Sequence, residues 1–126
     1  MNGWLLAASV LCIVGGVGHA WLGETRLLRP YLTTGVVTWK DARQSADTLR
    51  AAWHVWALAY LAAAGLLLFH ALAGVPDGAR PALWALAAMF AAAFLLVGII
   101  TRGKNAAVLV QVAIATLIVA GLIWRA

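Results

Sequence analysis

The sequence predicts an all-α integral membrane protein, a four-helix bundle in which neighbouring helices run antiparallel. Of its 126 residues, 65% are apolar and 10% are charged, whereas a soluble domain is about half apolar and a quarter charged. The apolar residues form four runs, each long enough to cross a hydrocarbon core about 30 Å thick as a helix. These observations argue against a soluble monomer and favour a single membrane domain covering residues 1–126.

The four predicted spans cover residues 3–22, 51–72, 81–100 and 106–124, and none contains Asp, Glu, Lys or Arg. Turn-forming residues at 74–78 and 102–105 separate the last three spans, which are therefore expected to be successive antiparallel neighbours. Asn105 is a suitable cap for the fourth helix.

Residues 23–50 form the one sizeable loop, and its second half has a helical pattern. Thr38 and Asp41 have the spacing of a capping box, and Arg43 and Asp47 lie one turn apart. We expect the second helix to begin near Trp39 and to project about three turns beyond the membrane before residue 51.

Lys and Arg are divided unevenly between the two faces of the predicted bundle. The face of loop 23–50 carries seven of the nine, and the opposite face carries Arg80 and Arg125. Because positive residues resist translocation, the loop is expected to be cytoplasmic, with both termini outside a bacterial inner membrane. The net charge of +5 is thus a topology signal rather than a sign of nucleic-acid binding.

Small residues recur every four positions in the first span, at Ala8, Cys12, Gly16 and Ala20. This spacing lets helix backbones approach closely in lipid, so the Gly16 face is predicted to contact another helix. Cys12 is the only cysteine, which excludes an intramolecular disulfide and a thiolate zinc cage.

The rare polar residues of the spans fall at similar depths, and they define the candidate site. His19 and His54 lie about one turn inside the predicted cytoplasmic ends of the first two spans, and Gln111 lies somewhat deeper in the fourth. Glu24 and Arg50 lie at the adjacent membrane surface. Because polar groups facing lipid are costly, we expect these side chains to face one another inside the bundle.

Three interpretations of this cluster remain open. His19 and His54 could ligate haem axially, with Arg50 and nearby arginines binding its propionates. His19, His54 and Glu24 could instead form a two-histidine, one-carboxylate site for a transition metal such as iron or zinc. The third and favoured interpretation is structural, with histidines bonding between helices and Glu24 pairing with a neighbouring arginine.

Two segments resemble small bacterial four-span membrane proteins of unknown function. These are GHAWLGE, from Gly18 to Glu24, and RAAWH, which contains Arg50, Trp53 and His54. Such proteins pair an HxxLGE-like end of helix one with a WH near the start of helix two, and the resemblance covers roughly residues 15 to 60. It implies a four-span membrane fold and draws attention to the same residues, but it implies no activity.

The short chain offers little soluble surface, so the first functional hypothesis is a non-enzymatic module in the lipid bilayer. Such a module would form a homo-oligomer or join a larger membrane complex through small-residue helix faces. The alternatives are a haem- or metal-binding protein built on the two histidines and a small oligomeric transporter. No span contains a carboxylate, which argues against a proton-coupled multidrug exporter.

Overall fold

The computed structural model describes residues 1–33 and 41–124, and in these ranges the chain is helical, with no β-strand. The four long helices are α1 (Gly3–Leu22), α3 (Ala42–Ala73), α4 (Arg80–Thr101) and α5 (Ala107–Ile123). A π-helical turn (Gly23–Leu28) and the short helix α2 (Arg29–Leu32) continue α1, and a 3₁₀ turn (Asp77–Ala79) precedes α4. The predicted all-α class with four long helices is confirmed.

Three helical stretches are long and apolar enough to cross a membrane: Gly3–Leu28, Arg43–Ala73 and Asp77–Thr101. The helix in the fourth predicted span is apolar but has 17 residues. Its length is about 26 Å at about 1.5 Å per residue, slightly less than the hydrocarbon thickness of about 30 Å. The helix ends because Trp124 adopts an extended backbone, with ψ of 94°.

Helix α3 begins at Ala42, after an N-cap formed by Asp41. The Asp41 carboxylate accepts a hydrogen bond from the Gln44 backbone N–H at 2.7 Å, which satisfies one of the free donors at the helix start. The predicted start near Trp39, with Thr38 as part of a capping box, lies outside the described residues. With 32 residues, α3 is about 48 Å long, enough for a span and an extension beyond it.

The turns between the later helices use left-handed backbone conformations. Gly74, at the end of α3, has φ of 89°, and Gly103, after α4, has φ of 71°. Arg102 also has a positive φ, of 52°, and with ψ of 39° it is in the left-handed helical conformation. The Asn105 side chain accepts a hydrogen bond from the Ala107 N–H at 3.0 Å, while the N-cap position of α5, predicted at Asn105, is taken by Ala106.

Helix α1 packs on both α3 and α5. The Asn2 N–H donates to the Ala71 carbonyl and the Ser9 hydroxyl donates to the Ala64 carbonyl, each at 2.8 Å. Residues near the start of α1 therefore lie beside residues near the end of α3.

The predicted contact face of α1 is confirmed at Ala8, Cys12 and Gly16, which are buried. A Cβ added to Gly16 would lie 3.2 Å from the Ala57 carbonyl oxygen. Small side chains therefore allow the backbones of α1 and α3 to approach closely. Ala20 is half-buried and lies at the edge of the same contact face.

The sequence predicts that α3 and α4 are neighbours because a short turn joins them, but the structure places α4 most closely against α5. Helices α3 and α4 meet through large side chains, with the rings of Tyr60 and Phe90 in an edge-to-face contact at 5.2 Å between centroids. Both rings belong to the buried core shared by all four long helices. The small residues of α1 allow that helix, rather than α4, to lie closest to α3.

Asn2 links the start of α1 to two other helices, so its replacement should destabilise the bundle. Its side-chain oxygen accepts from the Leu5 N–H at 3.2 Å, and its side-chain amide donates to the Gly121 carbonyl at 2.7 Å. We expect Asn2→Ala to lower the free energy of unfolding by about 1–2 kcal/mol. Denaturation in detergent micelles, followed by circular dichroism, measures the change.

Asn2→Ser separates the two hydrogen bonds of Asn2 because Ser keeps an oxygen that can cap the helix and loses the amide donor. We expect its stability to lie between those of Asn2→Ala and the parent protein. Parent-like stability of Asn2→Ala would contradict this account of the helix start.

Candidate functional site

The candidate site lies where α1 continues into the π-helical turn beside the first half of α3. Within this turn the Arg29 N–H donates to the Glu24 carbonyl, a bond spanning five residues where an α-helix spans four. The Thr25 hydroxyl donates to the Trp21 carbonyl at 2.7 Å. The turn continues the helix and brings Glu24 to face Arg50 and His54 of α3.

Trp53 fixes the position of α3 against the end of α1. Its indole stacks face to face on the His19 ring, with 4.3 Å between centroids and 3° between planes. Its Nε1–H donates to the His19 carbonyl at 3.0 Å. A Cβ added to Gly23 would overlap the same indole nitrogen. The indole therefore occupies space that exists only because residue 23 has no side chain.

Glu24 forms an ion pair with Arg50. The shortest nitrogen–oxygen distance is 3.1 Å, and the Arg50 Nε–H faces both carboxylate oxygens at 3.2 and 3.3 Å. His54 Nε2 lies 3.6 Å from the second oxygen and forms an ion pair with it only when the imidazole is protonated. The side chains of Arg50 and His54 are 43% and 41% exposed, so solvent screens this cluster.

The predicted site residues divide into three groups in the structure. Glu24, Arg50 and His54 come together, whereas His19 packs against Trp53. Gln111 is buried on α5 close to Tyr60, and within the described part of the chain its Oε1 has no hydrogen-bond partner.

The two imidazoles direct their nitrogens into different surroundings. Among residues 1–33 and 41–124, His19 Nε2 is buried without a hydrogen-bond partner, while His54 Nε2 faces Glu24. Axial haem ligation requires both imidazoles to bind one iron, and His19 stacked on Trp53 and His54 facing Glu24 do not fit that arrangement.

A metal site needs several donor groups around one ion. Within residues 1–33 and 41–124, no group of three or more His, Cys, Asp and Glu side chains is placed to hold a metal ion. Glu24 and His54 form a pair without a third such ligand, so the residues do not fit the predicted three-ligand site. The arrangement fits an electrostatic connection between α1 and α3.

Trp53 and Tyr60 have roles in the structure that the sequence pattern did not predict. Trp53 was predicted as an interfacial tryptophan and as part of a resemblance, whereas in the structure it joins His19 to the turn at Gly23. Tyr60 is 4% exposed and contacts Trp56 and Phe90. The Leu22-Gly23-Glu24 sequence contained one usable signal, because a glycine at the end of an apolar helix permits close approach by a large side chain.

The ion pair between Glu24 and Arg50 should show a favourable energetic coupling that depends on salt. We expect the double-mutant cycle of Glu24→Gln and Arg50→Gln to give a coupling at low ionic strength that disappears near 1 M NaCl, where the Debye length is about 3 Å. The free energy of unfolding of the parent protein, the two single variants and the double variant is measured in a non-ionic detergent. A coupling that is equally strong at high salt would contradict an exposed ion pair.

No protein-family model matches this chain, and no curated protein or solved structure matches it. Its function is therefore inferred from its own residues and their arrangement.

Proposed function

We propose that this chain is a small four-helix protein of the bacterial inner membrane, and that it acts as a non-enzymatic module by associating with itself or with a larger membrane complex. The observation that carries the proposal is the apolar outer surface. In the most apolar 18-residue windows of the three candidate spans, only 28%, 39% and 17% of the residues are buried within the chain. The remaining surface requires lipid or another protein as its surroundings.

The proposed topology has neighbouring spans antiparallel, residues 23–50 in the cytoplasm and both termini outside. Charge supports it, because Arg26, Arg29, Arg43 and Arg50 all lie in or beside the end of the bundle that holds Glu24. Arg80 belongs to the opposite end, where it donates to the Leu122 carbonyl at 2.9 Å. This distribution agrees with the rule that positive residues remain in the cytoplasm.

The proposed association uses α4, which is the least buried of the three candidate spans. Ala85, Ala88 and Ala92 are exposed on this helix, and small residues permit close contact between helices in lipid. Large exposed side chains on the same helix include Leu95 and Leu96, with 58% and 61% exposure. A second membrane helix can pack against the small residues and between these large side chains.

Membrane insertion and orientation can be tested with single cysteines. In a Cys12→Ala background, Thr33→Cys and Gly78→Cys place thiols at opposite ends of the proposed bundle. We expect a membrane-impermeant maleimide to label Gly78→Cys in intact spheroplasts and Thr33→Cys only after lysis. Extraction of the protein by alkaline carbonate would contradict insertion, and the reverse labelling pattern would contradict the orientation.

Association is tested by cross-linking in native membranes and by sedimentation in detergent. We expect a dimer or larger species, which Ala88→Phe on the exposed face of α4 disrupts and Ala62→Phe on the exposed face of α3 does not. A protein that stays monomeric and co-purifies with no other membrane protein would contradict the module proposal.

A further inference from the structure

A groove runs along the outer surface of the bundle between α1 and α3. We call it the α1–α3 groove. Its volume is about 510 Å³. The small residues Gly16, Ala20 and Ala57 form its floor, since Gly16 and Ala57 are buried where the two backbones approach. The more exposed side chains of Trp21 and Leu58 form its walls. The groove is thus largely apolar, and it is open to the surroundings of the bundle.

The groove has one polar end. Among the described residues that line it, His54 is the only one with a titratable side chain. Along α3 the groove extends from His54 to Leu61, a distance of about 10 Å at about 1.5 Å per residue. One leaflet of a bilayer contributes about 15 Å of hydrocarbon, so the groove covers the upper part of a leaflet when His54 lies near the headgroups.

The polar end carries an excess of positive groups. Arg50 lies one turn before His54 and binds Glu24, and the Arg29 backbone N–H donates to the Glu24 carbonyl. Two arginines therefore lie close to one carboxylate, beside an imidazole that is 41% exposed. This arrangement favours an anion at the mouth of the groove.

We propose that the α1–α3 groove binds an anionic phospholipid, with an acyl chain along its small-residue floor and the phosphate at His54, Arg29 and Arg50. The inference rests on the proposed membrane location and adds a specific lipid site to it. Apolar contact alone would accept any lipid chain, whereas the positive end selects a headgroup with net negative charge. The site therefore distinguishes phosphatidylglycerol from phosphatidylcholine.

A lipid fits this groove better than a helix from a second copy. A packed helix would cover His54 and the pair formed by Glu24 and Arg50, and removing a charged pair from water costs free energy that its mutual attraction often does not recover. A lipid leaves these groups at the level of the headgroups, where they remain hydrated. The charge at the mouth and the apolar floor thus match the two parts of one amphiphile.

The test uses the full chain in phosphatidylcholine vesicles that contain a minor fraction of brominated lipid. Bromine on an acyl chain quenches nearby tryptophan fluorescence, and Trp21 lines the groove. The quenching attributable to Trp21 is the difference between the parent protein and Trp21→Phe. At equal mole fraction, we expect brominated phosphatidylglycerol to occupy the site about five-fold more strongly than brominated phosphatidylcholine.

Two variants, each with a matched control, test the apolar part and the charged part of the site separately. Ala20→Leu fills the groove and should abolish the preference for phosphatidylglycerol, while Ala62→Leu, on an exposed part of α3 outside the groove lining, should retain it. Arg29→Gln should reduce the preference about five-fold. Arg43→Gln changes the net charge equally at the start of α3 and should leave the preference unchanged.

Equal quenching by the two brominated lipids would overturn the proposed site, as would equal effects of Arg29→Gln and Arg43→Gln. Loss of Trp21 quenching by both lipids, together with cross-linking between copies at Val17→Cys, would overturn it in favour of a protein occupant. Vesicle flotation is measured in parallel. A chain that does not float with the vesicles contradicts the proposed membrane location itself, which distinguishes that failure from loss of lipid selectivity.

Discussion

Gly23→Ala should lower the free energy of unfolding by about 1–3 kcal/mol, the cost typical of placing an extra group in a filled space. A Cβ at this position overlaps the Trp53 indole. The indole must then move, which weakens its stacking on His19 and its 3.0 Å hydrogen bond to the His19 carbonyl. Denaturation in detergent gives the stability change, and near-ultraviolet circular dichroism reports the movement of the indole.

Gly18→Ala provides a matched control because it makes the same substitution in α1, just before the turn that begins at Gly23. A Cβ added to Gly18 would meet no heavy atom within 4 Å, and Ala favours the helical conformation over Gly by about 0.5–1 kcal/mol. Gly18→Ala should therefore be neutral or stabilising. Equal effects of the two substitutions would contradict a specific contact between Gly23 and Trp53.

Phe90→Ala should lower the free energy of unfolding by about 3–5 kcal/mol, more than Gly23→Ala, because it removes a large buried side chain. Phe90 has 0% exposure and packs edge to face on Tyr60. Since α3 and α4 meet through such side chains, the lost ring leaves a cavity that the helices cannot readily close. Denaturation in detergent measures the loss, and tyrosine fluorescence reports the altered surroundings of Tyr60.

Phe69→Ala removes the same ring from an exposed position and serves as the control. Phe69 is 62% exposed on α3, so its removal leaves no enclosed cavity and should cost less than about 1 kcal/mol. The contrast between the two variants tests the placement of the core. Comparable losses at both positions would contradict the packing of α3 against α4.

The sequence predicted the helices well because their boundaries depend on local chemistry. Asn105 followed by an apolar run indicates a helix start, and the structure begins α5 two residues later, where the Ala107 N–H donates to the Asn105 side chain. The small-residue spacing through Cys12 and Gly16 predicted a contact face, which the structure confirms by their burial. These features depend on residues a few positions apart, so they can be identified without knowing where the other helices lie.

The sequence was less informative about which polar residues of the candidate site meet. The prediction grouped His19, His54 and Gln111 because they lie at similar depths in the predicted spans. Depth alone does not determine the direction in which each side chain points. The structure pairs His54 with Glu24, stacks His19 on Trp53 and places Gln111 beside Tyr60. Each residue turns an α-helix by about 100°, so residues at one depth can face quite different neighbours.

Composition and hydropathy by themselves determined the helical class and the positions of the apolar segments, because burial of apolar groups and capping of helix ends follow from local residue types. Tertiary structure decided which helix lies beside which and created the contacts between Gly23 and Trp53 and between Glu24 and Arg50. Both contacts join residues at least 26 positions apart. Their formation depends on the rotation and depth of whole helices, which only the packing of the complete bundle fixes.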